Sequence, residues 1–251
     1  MRYSNLHYSK RTNAPKYQQQ NKLLSILWLL LAIIVLIFVI SFSNLNATQL
    51  IDGFIASFFR TSIAYLIALI LAIIIALLIT ANEIIENIFL PFFDALQSFP
   101  SFALFPILVQ ALKNSPEFVI ILILTITIIW PILFSIIGGM KNRRKDLEEA
   151  ATVFGAHGIK RLFNFTLPIL LPVIITGSIV GWGEGWEFII GAELLAQANV
   201  GIGTYLGILG KNQQGLLLAF GILILMFLLF IINKFFWLPL LYRATQYESE
   251  A

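Results

Sequence analysis

In the stretch GWGEGWEF two carboxylates, Glu184 and Glu187, stand three residues apart. On a helix that spacing puts them on one face, with Trp182 and Trp186 forming another near-pair. Carboxylates set in apolar sequence either line a water-filled path, where they meet ions or protons, or sit solvated at a membrane surface beside tryptophan anchors. Glu193 follows in GAELL, and Asp94, Gln97 and Gln110 punctuate an earlier apolar run. Other chemistry is poorly supplied. The chain has no cysteine, which removes thiolate metal sites, disulfides and thiol nucleophiles, and its two histidines lack partners at ligand spacing, so no metal site is expected. No His, Ser and Asp converge at one membrane depth, as an embedded enzyme would need.

The elements that must hold these residues follow from composition. With 251 residues, 59% hydrophobic and only 12% charged, the chain is far from a soluble composition and reads as an integral membrane protein. A spanning helix takes about 20 apolar residues. Six stretches free of Asp, Glu, Lys and Arg come close to that length: Leu23–Phe42, Thr61–Thr80, Ala95–Leu112, Phe118–Gly139, Leu162–Gly183 and Leu216–Ile232. The expected fold is an all-α integral membrane protein with six transmembrane helices over residues 23–242. Residues 1–22 form a polar cytoplasmic tail, expected to be disordered, and residues 243–251 a second cytoplasmic tail. The first stretch is too long for a signal-peptide core. Ala95–Leu112 contains Pro100 and Pro106, with Pro91 just before, and is expected to be a kinked span inside a bundle.

Glu184 lies 22 residues beyond Leu162, roughly 33 Å at helical rise, which places it near the outer end of the fifth span. Two readings stay open there: an interfacial belt of Trp anchors and solvated carboxylates, or the wall of an outer vestibule. Gly181, Gly183 and Gly185 alternate in the same place and permit either close packing or gating. Asp94 and Gln97 open the third span and Gln110 closes it, with Gln97 the pathway candidate and helix-to-helix hydrogen bonding the alternative.

The net charge of +3 matters less than its placement, and nothing in it suggests nucleic acid. With the first residues inside, the inner segments hold twelve Lys and Arg, while the outer loops hold three, Arg60, Lys113 and Lys211. The positive-inside rule therefore puts both termini in the cytoplasm.

One long polar passage interrupts the apolar chain on that cytoplasmic side, DLEEAATVFGAHGIKRLFNFTLP, Asp146 to Pro168. Asp146 with Glu149 three residues later is an N-terminal capping signature, and Gly155 a C-terminal one, bracketing about two turns of helix. Leu147, Ala150, Ala151 and Phe154 fall on one face. So short a helix is not stable alone and must dock on its own bundle or on a partner. His157, after it, reads as a solvated loop residue.

The run Glu149-Ala150-Ala151, Gly155, Phe165 and Leu167-Pro168 resembles the signature loop of permease subunits of binding-protein-dependent ABC importers, with Phe165 where the family usually has Ile. From about Thr48 to Tyr242 the chain is similar to the nitrate, sulfonate and taurine branch, through LQSFPSFALFPIL, GAELL and GIGTYL. The resemblance implies that the short helix is a coupling helix seated in a groove of an ATP-hydrolysing subunit. Ala150, Ala151 and Gly155 would then allow close approach, Glu149 would be the charged contact or the cap, and Phe154 would complete the docking face. Leu167-Pro168 would mark where the loop re-enters the bilayer, with Pro172 kinking the fifth span, and Glu193 matches the acidic residue of the family's AE pair. It also implies an ATP-binding cassette subunit that uses ATP and Mg, a second permease copy with a homodimer favoured over a heterodimer, an extracytoplasmic substrate-binding protein, and a prokaryotic cell membrane. No cofactor is expected on this chain itself.

The residues agree that ATP hydrolysis belongs elsewhere. The nearest approach to a phosphate-binding loop, Gly210-Lys211, has Tyr205 where the first glycine belongs and Asn212 where Ser or Thr belongs. The alternative is a secondary transporter coupled to protons or Na⁺ through Glu184, Glu187 or Asp94. The carboxylates at Glu184 and Glu187 would disfavour a naked anion, which weakens the nitrate and sulfonate analogy for substrate.

Overall fold

The fold was obtained as a computed structural model that describes residues 46–112, 115–142, 153, 155 and 157–250. Helix α1, Ala47–Ile79, starts where the Asn46 side chain accepts a hydrogen bond from the Gln49 amide. Helix α2, Glu83–Gln97, is capped in the same way by Asn82 and carries Glu83 and Glu86 in its first turn, where the helix dipole favours negative charge. A 3₁₀ turn, Ser101–Leu104, leads into the short α3, Phe105–Ala111. Helix α4, Pro116–Lys141, has Pro116 in its first turn, where no amide bond is lost. One turn of helix, α5, Gly158–Arg161, passes through a π-helical turn, Leu162–Thr166, into α6, Leu167–Leu195. Then come α7, Ile202–Lys211, and α8, Gly215–Ile232, which runs through a second π-helical turn, Asn233–Trp237, into α9, Leu238–Glu250.

The long helices α1, α4, α6 and α8 are apolar nearly all round, so polarity cannot tell them which face to bury. Side-chain size does. On α1 the residues Ala64, Ala68, Ala72 and Ala76 recur every fourth position and are fully buried, whereas Leu66, Ile70 and Ile74 on the other side are 55%, 58% and 48% exposed. On α6 the glycines Gly177, Gly181 and Gly185 form a matching small stripe. A Cβ on Gly177 would lie 2.8 Å from the Pro131 carbonyl oxygen, one on Gly181 2.8 Å from that of Ile128, and one on Gly185 2.7 Å from the Ile128 side chain. Between the two stripes stands α4, whose Ile120, Ile123, Leu124, Ile128, Ile132 and Leu133 are fully buried. In lipid no hydrophobic gain drives helices together, so large residues closing on small stripes supply the attraction through van der Waals contact.

Both ends of this three-helix core are tied by charge. At one end Lys141, the last residue of α4, pairs with Glu86 of α2 at 2.5 Å. At the other end Arg60 of α1 reaches Glu117 at the start of α4 and Glu193 near the end of α6. Helix α7 packs against α1 and α6 at this second end.

The described residues contain four helices long and apolar enough to cross a membrane, Ala47–Ile79, Pro116–Lys141, Gly158–Leu195 and Gly215–Thr245, or five if α2 and the Ser101–Ala111 segment count as one. The expected first span, Leu23–Phe42, lies outside the described residues. The second expected span is the latter part of a longer helix. The expected third span is corrected more deeply. It is no kinked helix from Ala95 to Leu112: α2 begins at Glu83 and stops at Gln97, and the next segment leaves at 79°. Pro100 is the reason, because it disfavours helix at the residue before it and supplies no amide hydrogen. Asp94 and Gln97 accordingly close a helix instead of opening one. Gln97 donates to Asp94 at 3.5 Å within its own helix, and the Ser98 hydroxyl donates to the Asp94 backbone carbonyl, so among the described residues neither the Asp94 nor the Gln97 side chain bridges helices. Helix continues past residue 243 to Glu250.

The glycines in α6 separate into two kinds, which makes a direct test. Gly181→Leu should drive α6 off α4 and lower the apparent unfolding temperature in detergent by several degrees, as overpacking costs about 1–3 kcal/mol. Gly183 meets nothing within 4 Å, so Gly183→Ala should leave that temperature unchanged or raise it.

Candidate functional site

Where α2 breaks, it opens a cavity of about 580 Å³ against the middle of α4 and one face of α6. Gln97 comes from the end of α2, Thr127 and Trp130 from α4, and Glu184, Glu187 and Phe188 from α6. Three of the four pathway candidates, Gln97, Glu184 and Glu187, thus meet in one place although nearly ninety residues separate the first from the others. The α6 periodicity explains the sorting. Glu184 and Glu187 face the cavity, while Trp182 and Trp186, on the other side, are only 8% and 2% exposed.

The tryptophans correct the interfacial-belt expectation. Trp186 stacks on Phe54 at 5.3 Å, and Trp182 meets Tyr65 edge-on at 5.8 Å and Trp237 at 6.0 Å. The Tyr65 hydroxyl donates to Ser178 at 3.0 Å, fixing α1 to α6. Depth changes too. Gly181 sits against Ile128, near the midpoint of α4, and α6 runs on past Glu184 for three turns to Leu195. Glu184 therefore lies at the level of the middle of the bundle, because the span begins earlier and ends later than its charge-free stretch. Gly181 and Gly185 belong to packing, which decides between the two readings offered for them.

Glu193, the fourth candidate, is elsewhere. It is fully buried and does not line the cavity. One carboxylate oxygen accepts from the Ser57 hydroxyl at 2.6 Å and from Arg60 Nη1 at 2.6 Å, and the other accepts from the Gly203 amide at 2.8 Å. Ser57 in turn accepts from the Ile202 amide at 2.9 Å, and Arg60 Nη1 also donates to the Val200 carbonyl at 2.7 Å. The remaining guanidinium edge forms a two-bond fork to Glu117, Nε to Oε2 at 2.6 Å and Nη2 to Oε1 at 2.5 Å. Gly201 has no room for a side chain, since a Cβ there would run into the Glu193 carboxylate, and a Cβ on Gly203 would lie 2.5 Å from the Ile190 carbonyl oxygen. GAELL and GIGTYL are thus two halves of one lock.

Arg60 is the residue that sequence reasoning missed. Counted as a loop charge, it lies inside α1 at 7% exposure. A signal was present. Arg60 is the sole charged residue between Asp52 and Glu83, one turn after Ser57, with apolar helix on both sides, and such a residue needs a buried partner. Of the polar loop, Gly155 has a φ of 75°, the left-handed conformation a helix-ending glycine takes. Glu149, Ala150, Ala151 and Phe154 lie outside the described residues. Leu167 and Pro168 open α6 directly after the π-helical turn, Pro172 is buried within it, and His157 is exposed.

Glu193→Ala should strip the Arg60 guanidinium of its buried counter-charge, leaving only the exposed Glu117, and destabilise the bundle by about 3–5 kcal/mol. Arg60→Lys should cost stability as well, because an ammonium cannot hold both forks. Glu117 is 57% exposed in its side chain, so Glu117→Ala should cost only about 0–1 kcal/mol. Apparent unfolding temperature in detergent orders the three variants.

Residues 68–244 match the family described as binding-protein-dependent transport system inner membrane component. Among curated proteins the chain is 32% identical to the nitrate import permease protein NrtB of Leptolyngbya laminosa over 60% of this chain and 53% of the relative. It is 33% identical to the bicarbonate transport system permease protein CmpB of Synechococcus elongatus over 61% of this chain and 54% of the relative. With the taurine transport system permease protein TauC of Escherichia coli it shares 36% identity over 33% of this chain and 30% of the relative. These matches span about half the length of the first two relatives. The match covers the α4–α6 core, the broken α2–α3 segment and the cavity they enclose, and on it the chain belongs to the binding-protein-dependent transport system inner membrane component family, as a multi-pass membrane protein.

Proposed function

We propose that this chain is the permease subunit of an ATP-driven importer, supplying half of a translocation path and driven by a separate ATP-binding cassette subunit. The family match over residues 68–244, which includes the Glu149 to Pro168 signature loop, carries this reading. In it the chain has six spans, with Leu23–Phe42 the first, and the Arg60–Glu193 lock faces outward while Lys141 and the polar loop face the cytoplasm, an orientation that the distribution of Lys and Arg supports. A two-turn helix from Asp146 to Gly155 docks its Ala150, Ala151 and Phe154 face in a groove of the ATPase, with Glu149 as cap or charged contact. ATP and Mg stay with that partner. A second copy of the chain completes the path, and an extracytoplasmic binding protein delivers the solute.

The cavity of Gln97, Glu184 and Glu187 is the part of the path that this chain contributes. Its place supports the assignment: mid-bundle, at a broken helix, with ionisable groups where a bilayer would otherwise exclude them. The family is described as binding-protein-dependent and one relative, from Methanocaldococcus jannaschii, is named a putative ABC transporter permease protein, which favours ATP over an ion gradient as the energy source.

Ala151→Arg should abolish transport and release the ATPase during purification while the membrane bundle still assembles. An intact complex with normal uptake would count against docking. Uptake into proteoliposomes holding permease, ATPase and binding protein should require internal ATP and survive dissipation of the ion gradient. Gradient-driven uptake without ATP would overturn the importer assignment.

A further inference from the structure

We propose that the solute is an organic cation, a protonated or quaternary amine on an apolar or aromatic body, selected by Glu184 and Glu187. The proposal rests on the cavity being part of the translocation path.

Charge is the first observation. Among the described residues both ionisable side chains lining the cavity are acidic, and no Lys or Arg lines it. Neither Glu184 nor Glu187 has a hydrogen-bond or ion-pair partner among the described residues. Asp94, which accepts from the amide of the lining residue Gln97, is acidic as well. The neighbouring cations are committed at the ends of the core, Arg60 to Glu193 and Glu117, and Lys141 to Glu86. Two carboxylates at mid-bundle thus lack a counter-charge among the described residues, and a cleft lined with one sign of charge between low-dielectric walls concentrates ions of the other sign. An anion would find neither a guanidinium nor an ammonium there among the described residues. The nitrate and bicarbonate in the names of two relatives are therefore poor guides to this chain's solute.

The rest of the wall specifies the body. Trp130, Phe99 and Phe188 line the same cavity, and Phe188 is held by stacking on Phe102 at 4.5 Å. Aromatic faces attract ammonium groups and pack against flat or apolar bodies. Ser101 is nine-tenths buried, lines the cavity and has no side-chain hydrogen-bond partner among the described residues. Its hydroxyl is an unused donor and acceptor, independent of the carboxylates, for one polar substituent on the solute.

The absence of cysteine makes the test clean. Val180, half exposed on the cavity wall one turn before Glu184, is changed to cysteine in the full chain. It is then labelled in native membranes with trimethylammonium-ethyl and with sulfonato-ethyl methanethiosulfonate, each rate divided by that for free cysteine. We expect the cationic reagent to be favoured at least about tenfold, and the preference to fall to near unity in E184Q/E187Q. E187Q alone, at an exposed position, should lower it severalfold even if the double variant fails to assemble. Benzyltrimethylammonium should protect the cysteine at lower concentration than tetramethylammonium, and taurine and nitrate should not protect it. No labelling by either reagent would overturn the path reading and the proposal together. Labelling of both reagents at equal rates, preference for the sulfonate, or protection by taurine or nitrate would overturn the cation class while leaving the path in place.

Discussion

A carboxylate with no access to water must be answered where it lies, and in this bundle the answer to Glu193 organises one whole end of the molecule. Its oxygens draw in the Ser57 hydroxyl, the Arg60 guanidinium and the Gly203 amide. Those partners belong to α1 and to the start of α7, so the bonds fix α6 to both. Arg60 then spends its free edge on Glu117 and adds α4. Removing any buried member strands the others in a low-dielectric interior, which is why so few polar residues govern so much apolar helix.

Within the frame that the lock holds, the core is assembled by size. Alanines on α1 and glycines on α6 let two helices close on the large side chains of α4, leaving the bulky face of α1 for lipid. Close packing and fixed charges together make the core rigid, and the broken α2 stands against it. A helix that stops at Gln97 cannot fill the space a straight one would, and the space is the cavity. The same Pro100 that interrupts the backbone thus produces the polar concavity at mid-bundle that Gln97, Glu184 and Glu187 share.

The two acidic sites on α6 show how position decides role. Glu193 is surrounded by donors and is structural. Glu184 and Glu187, two to three turns earlier on the same helix, have no such donors and face open space. Nothing in the residue type separates them. Their surroundings do: among the described residues the second pair has no partner.

Much of this was legible in the sequence. Apolar runs of bilayer length gave the membrane class, the Glu149 to Pro168 spacing gave the family, and the three-residue spacing of Glu184 and Glu187 put both on one face, because each is a local property of composition or helical period. What local pattern cannot supply is the partner across space. The sequence could not show that Gln97 would meet Glu184, that Trp182 and Trp186 would turn inward, or that Arg60 belonged to Glu193 some 130 residues away. Helices apolar on every side carry no polarity signal for their burial, and in such a chain the contacts between small stripes and buried charges, which exist only in the folded bundle, decide which carboxylate locks the structure and which faces the cavity.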